Sequence, residues 1–312
     1  MILCCGEALI DMIPEPTLQG AQGFVPHCGG SVMNTAVALG RLGVPTGLFT
    51  GLSDDMFGRQ LTAHLQASHV DLSLAAVSSR PSTLAFVRLV DGQASYSFFD
   101  ENSAGRMLQL AKLPKVPADV SALFFGGISL AVEPAAETYA ALLEREKRDR
   151  VVMLDPNIRT AFIADEERYR ARLDRMLAQT DIIKVSDEDL DWLIPPNMPS
   201  AEKAAMLMNR GPSLVVVTRG SAGALAFLPN GTEVAVAAEP VDVVDTVSAG
   251  DTFNAGFLCK LRELGRLDVQ TLPELAPEAL RSALTFASKI AGISVSRKGA
   301  NPPWSREVYE LV

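Results

Sequence analysis

The chain has 312 residues, and at that length it can bury one large α/β core, or a main body with a small appendage. Nearly half its residues are hydrophobic (48%) and 21% are charged, the balance of an ordinary globular protein. The net charge of −9 excludes a nucleic-acid-binding face or an anionic-membrane surface. It does not exclude an anionic nucleotide, because a phosphate site needs only oriented N–H groups and a few cations.

Met1 leads straight into the apolar run Ile2–Cys5, which reads as a strand with no basic segment before it, so no signal peptide is expected. Cys4, Cys5, Cys28 and Cys259 show no C-x-x-C spacing, and only His27, His64 and His69 could join them. A structural zinc site is therefore not expected; the thiols read as reduced side chains of a cytoplasmic protein. No apolar stretch is long enough to cross a bilayer, so no membrane partner is expected.

Further strands are expected at Gly47–Thr50, Ala122–Phe125, Val151–Leu154, Ile182–Val185, Leu214–Thr218 and Ala224–Leu228. Between them fall helical patterns at Ser31–Leu42, Phe57–Ala67, Pro134–Lys147, Arg168–Ala178, Ala201–Asn209, Asp251–Leu264 and Pro277–Ser294. Short, fully apolar strands alternating with helices predict a mostly parallel central sheet flanked by helices on both faces. Two stretches break the rhythm. Residues 8–27 carry Pro14, Pro16, Gly20 and Gly23, while 82–100 alternates on both sides of Asp91-Gly92, a hairpin signal. Both are read as strands of a small β-sheet projecting from a single α/β domain spanning 1–312.

The β-branched run Val241-Asp242-Val243-Val244 is read as a strand entering the turn Asp245-Thr246-Val247-Ser248-Ala249-Gly250-Asp251, after which a helix begins. Ser248, Ala249 and Gly250 have little bulk. A phosphate could therefore approach the unpaired N–H groups at the helix start, where the dipole favours negative charge. A carboxylate at Asp251 could take the proton of a hydroxyl attacking that phosphate. Taken alone, the same Asp is equally a helix cap. No G-x-x-x-x-G-K-[ST] run occurs, so this is not a P-loop.

Four other runs accompany this one in chain order: Cys28-Gly29-Gly30-Ser31-Val32-Met33-Asn34, Asp155-Pro156-Asn157-Ile158-Arg159, Thr218-Arg219-Gly220-Ser221-Ala222-Gly223 and Arg297-Lys298-Gly299-Ala300-Asn301. With the Asp245–Asp251 run, the set resembles the ribokinase-like (PfkB) sugar kinases along essentially the whole chain. The segments Gly6–Pro14 and Tyr96–Arg106 are similar to those of bacterial fructokinases.

The resemblance implies a ribokinase-like fold whose small sheet is a lid over the sugar and often a dimer contact, so a homodimer through the lid is expected. It implies an ATP-dependent kinase of a neutral sugar, fructose first, with 2-keto-3-deoxygluconate, ribose or a nucleoside as alternatives. A non-catalytic sugar sensor on the same fold is the reading from another class. Asp251 is then the base, with the Ala249, Gly250 and Asp251 N–H groups as anion hole and Arg159 neutralising the moving phosphoryl group. Asp11, Gly29, Gly30, Asn34, Asn157 and Phe99 would meet the sugar. Lys184, Ser186, Thr218, Gly220, Gly223 and Ser288 would meet ATP. Where relatives carry N-x-x-E near Mg²⁺, this chain has Ser186 and Asp189, so Asp189 or Glu188 is expected to organise the metal. Asp245, Val247 and Gly299 stand where relatives hold a monovalent cation such as K⁺. Asp100 stands where acid-sugar kinases carry Arg, and its charge is expected to repel an acidic substrate.

Overall fold

The computed structural model describes residues 1–90 and 93–309, so the expected turn at Asp91-Gly92 lies outside the described residues. The chain opens with β1 (Ile2–Cys5), β2 (Leu9–Pro16), β3 (Gln22–Gly29), α1 (Ser31–Arg41), β4 (Thr46–Phe49), β5 (Gly51–Ser53), α2 (Met56–Ala67) and β6 (Val70–Asp71). Then come β7 (Ala76–Ser78), β8 (Leu84–Val90), β9 (Gln93–Phe99), β10 (Ala122–Gly126), α3 (Ala135–Glu146), β11 (Val151–Asp155), α4 (Glu166–Leu177) and β12 (Ile182–Ser186). The last third holds α5 (Asp187–Leu193), α6 (Ser200–Met208), β13 (Leu214–Thr218), β14 (Ala224–Phe227), β15 (Glu233–Val236), α7 (Ala249–Glu263), α8 (Pro277–Val295) and α9 (Ser305–Tyr309).

The main sheet runs β15-β14-β13-β12-β11-β10-β1-β4-β6. It is parallel from β13 to β6, with β14 and β15 added antiparallel. Alternate side chains enter two separate cores. Ile2, Cys4, Phe124 and Met153 pack on the α1, α7 and α8 side, while Leu3, Cys5, Phe125 and Leu154 pack on the α3, α4 and α6 side. Burial of both faces is why these strands read as unbroken apolar runs. The chain leaves β1 toward β4 on one side and returns to β10 on the other. This is a switch point whose carboxyl-end crevice suits a ligand.

Strands from the two irregular stretches form a second sheet in the order β3-β2-β8-β9. Its register sets Leu9, Asp11, Gly29, Ala85 and Phe98 on one face. Ile10, Met12, Cys28, Leu84, Phe86 and Phe99 fall on the other, and the first four of these extend into the α1-side core.

The run Val241–Val244 is not a strand. β15 already ends the sheet, and the segment crosses the end of α8 instead. There Val244 and Asp245 both donate to the Val295 carbonyl (2.8 and 3.1 Å), and Val243 and Val244 are exposed.

Candidate active site

The turn into α7 is built by Ser248, a non-glycine residue in the left-handed region (φ +60°), whose carbonyl accepts from Thr252 N–H at 2.9 Å. Ala249 N–H is turned to the Thr246 carbonyl at 3.3 Å. The expected three-donor anion hole therefore narrows: Gly250 and Asp251 N–H are the two that take no partner among the described residues. A cation stands beside them. A Cβ on Gly250 would lie 3.0 Å from Lys184 Nζ. That buried ammonium bonds Asp155 Oδ2 at 2.9 Å, and Asn254 Nδ2 donates to the same oxygen at 2.7 Å. Lys184 thus adds a fixed positive charge to the positive end of the helix dipole.

Asp251 is buried and held from α1, more than two hundred residues away in sequence. Ser31 Oγ donates to its Oδ1 at 2.7 Å and Asn34 Nδ2 to its Oδ2 at 2.9 Å. Burial raises its proton affinity above the usual carboxylate range, and these two bonds offset part of that rise. Asp11 reaches the same place from the second sheet. Burial, with the Asp251 charge nearby, pushes it up to about 7. A Cβ on Gly29 would fall 2.1 Å from Asp11 Oδ2, so a side chain there would displace the carboxylate. Gly30, at φ +106°, makes the turn from β3 into α1.

Asn157 turns the chain at the end of β11 with φ +42°, and Ile158 and Arg159 beyond it line a cleft of about 1020 Å³ together with Phe98, Asp100, Arg106, Phe162 and Glu188. Arg159 makes no ion pair among the described residues. The acidic run that could have taken it serves α4 instead, Asp165 capping Arg168 N–H and Glu166 pairing with Arg170. Its charge is left for the cleft.

Phe99, expected over the sugar, lies on the sheet face opposite Asp11. It is 58% exposed and packs edge-on against Phe86 at 5.3 Å. Phe98 is the one on the Asp11 face, its ring against Phe162 at 4.0 Å. Asp100 is also not the free charge expected. Arg106 Nη1 donates to both of its oxygens at 2.9 Å, so an acidic sugar would not meet an unpaired carboxylate there.

On the other side of the crevice Thr218 closes β13, and its hydroxyl donates to the Val185 carbonyl at 3.4 Å. Gly220 and Gly223 turn the chain with φ +51° and +85°. A Cβ on Gly223 would lie 2.0 Å from the Val236 carbonyl oxygen. Ser288 is buried on α8, which packs against α7.

Ser186 and Asp189 form the capping box that starts α5, and Asp189 Oδ1 also accepts from Ile158 N–H at 2.9 Å. Both Asp189 oxygens are thus committed to backbone, which suits a brace for the Asn157–Arg159 loop better than a metal ligand. Glu188 is exposed on the cleft. Among the described residues no three His, Cys, Asp or Glu side chains are arranged as a metal cage. Asp245, Val247 and Gly299 do converge, Asp245 accepting from Val247 N–H at 3.0 Å and from Gly299 N–H at 2.9 Å.

Sequence reasoning missed Ser31, Asn254 and Asp155 as site residues; it set Phe98 beside Phe99 as suited to covering a sugar without fixing which of the two shares the Asp11 face. Asn254 was detectable, since it stands three residues after Asp251 and shares its helix face.

The description of the pfkB family carbohydrate kinases matches residues 1–307. A fructokinase of Rhizobium leguminosarum bv. trifolii is 52% identical over 90% of this chain and 86% of its own length. One of Klebsiella pneumoniae is 34% identical over 95% of this chain and 93% of its own. Among solved structures, a fructokinase with bound ATP from Xylella fastidiosa superposes with a TM-score of 0.90 at 28% identity, covering 99% of this chain and 97% of that one. A Vibrio cholerae fructokinase in a fructose-, ADP- and calcium-bound form gives 0.82 at 26% identity, covering 96% and 94%. With its full-length family match and a site assembled from the same five runs, this chain belongs to the pfkB family of carbohydrate kinases.

Proposed function

We propose that the chain is a fructokinase, moving the γ-phosphoryl group of ATP to the terminal hydroxyl of fructose. One observation carries the chemistry: the Asp251 carboxylate is held by Ser31 and Asn34 at a helix N-terminus flanked by Lys184. The choice of fructose is supported by the fructokinase relatives and not by Asp100, whose charge is paired.

Asp251 removes the proton from the attacking hydroxyl. Gly250 and Asp251 N–H, with Lys184 and Arg159, stabilise the charge on the phosphoryl oxygens. Asp11 accepts from sugar hydroxyls, and Asn34, whose amide nitrogen is spent on Asp251, still has its carbonyl oxygen to offer. Phe98 covers the sugar, and the second sheet acts as a lid excluding water. Thr218, Gly220, Gly223 and Ser288 lie on the nucleotide side. Glu188, exposed on the cleft, would be the protein carboxylate offered to a Mg²⁺ that neutralises the phosphates, and backbone carbonyls near Val247 and Gly299, in segments tied together by Asp245, would cradle a K⁺. On the outer lid face Phe24, Phe86 and Phe99 form an aromatic row at 5.0 and 5.3 Å, with Phe24 and Phe99 exposed. That row is our candidate homodimer contact.

The test is ADP release by the purified protein with ATP, Mg²⁺ and a panel of fructose, ribose, adenosine and 2-keto-3-deoxygluconate. Fructose should give the highest kcat/KM; a higher value for another acceptor would overturn the assignment.

A further inference from the structure

Helix α1 begins without a cap of its own. Gly30 offers no side-chain acceptor, and no acidic residue stands in the first turn. Glu7, just after β1, does both jobs. Its Oε1 accepts from Ser31 N–H at 3.0 Å, and its backbone carbonyl accepts from Met33 N–H at 3.2 Å. The other carboxylate oxygen, Oε2, accepts from Ser129 N–H at 3.2 Å, in the turn that follows β10. That turn is shaped around it: Gly127 sits at φ +67°, and a Cβ there would lie 2.1 Å from Glu7 Oε1. The preceding peptide is fixed as well, since the buried Tyr139 hydroxyl donates to the Gly6 carbonyl at 3.2 Å.

A buried carboxylate is costly unless its oxygens are satisfied, and here they are satisfied by two segments far apart in sequence, the start of α1 and the turn after β10. Ser31 is the link to the chemistry. Its N–H is held by Glu7, and its hydroxyl holds Asp251 Oδ1. One turn further along the same helix, Asn34 holds Oδ2.

We propose that Glu7 is a positioning residue for the general base: it fixes the first turn of α1 against the β10 turn, and through the Ser31 hydroxyl it sets the orientation of the Asp251 carboxylate. This rests on the reading of Asp251 as the base. Glu7 acts at one remove, so its loss should appear in turnover and not in affinity.

The experiment is a double-mutant cycle between Glu7→Gln and Ser31→Ala, with steady-state kinetics for both substrates and thermal unfolding of each protein. The amide of Glu7→Gln is isosteric but turns an NH₂ toward one of two N–H donors. Losing a charged hydrogen bond of this kind should lower kcat about tenfold, with both KM values within about threefold. On the Ser31→Ala background the same change should cost less than about threefold, because the relay is already cut. An equal loss on both backgrounds, a loss confined to KM, or no loss would overturn the proposal. Should Glu7→Gln not fold, Gly127→Ala displaces the same carboxylate from the other side and is expected to give the same kcat-selective loss; unchanged kcat in that protein would overturn it equally. If the unsubstituted enzyme leaves fructose untouched, the acceptor assignment fails, and the cycle is read with the acceptor it does phosphorylate.

Discussion

Replacing Asp251 with Asn keeps the side chain's volume and removes its basicity, so it separates the base from everything around it. The carboxylate accepts one hydrogen bond from Ser31 Oγ and one from Asn34 Nδ2. An amide offers one acceptor and two donors, but Asn34 can turn its own amide and present an oxygen, so the clamp survives with its polarity reversed on one side. The cost then falls on chemistry. Loss of a positioned general base is worth roughly 100- to 10,000-fold, and with orientation also disturbed, turnover should fall by about three orders of magnitude or more. Stability should move the other way. Burial raises the proton affinity of Asp251 in the folded protein. The folded state therefore holds this proton more tightly than the unfolded chain, whose Asp titrates near pH ~4. Stability from this group is present below that pH and is lost as pH rises through the folded value. Above the folded value the wild-type protein carries this penalty, and a neutral amide does not. Coupled ADP-release assays, ATP binding by calorimetry and Tm at pH 7.5 test all three points. Turnover within about tenfold of wild type would refute the base assignment, and a Tm several degrees lower would refute the desolvation argument.

Two further outcomes follow from the same geometry. Asp11 rises to about 7, and sugar hydroxyls donate best to its ionised form, so kcat/KM for sugar should fall about tenfold per pH unit below that value. In Asp11→Asn this acid limb should vanish; its persistence would place the titration on another group. Phe98→Ala should raise the sugar KM while leaving assembly intact. Phe99→Ala should leave the KM unchanged and shift sedimentation toward the monomer, and the reverse pattern would exchange their roles.

The parallel strands were legible because each is buried on both faces, and residues with no solvent side to present form unbroken apolar runs. The same signal misled at Val241–Val244. β-branched composition marks a segment that can extend, but a strand needs another strand alongside it, and this segment lies across the end of α8 with the Val244 and Asp245 N–H groups on the Val295 carbonyl. Two-residue β6 and the short β5–β7 pair carry too little pattern to be seen at all.

The site divides along a similar line. Sequence shows which residue types stand at turns and strand ends, so Asp11, Gly29, Asn34, Asn157, Arg159 and Asp251 could each be named. Partnership is invisible there, because the groups that hold Asp251 lie 220 and 217 residues away and those that hold Asp155 lie 99 and 29 residues away. Phe98 and Phe99 show the limit most sharply. Neighbouring strand residues point to opposite faces, and only the pairing of β8 with β9 decides which of them shares the Asp11 face. Asp100 fails for the complementary reason. A charge argued in isolation changes meaning once Arg106, six residues on, folds back onto both of its oxygens. Asp189 shows that a local pattern can outrank a resemblance. Ser186-x-x-Asp189 before an apolar turn spells a capping box, and the structure uses the carboxylate there, where it also braces the Asn157–Arg159 loop through Ile158 N–H.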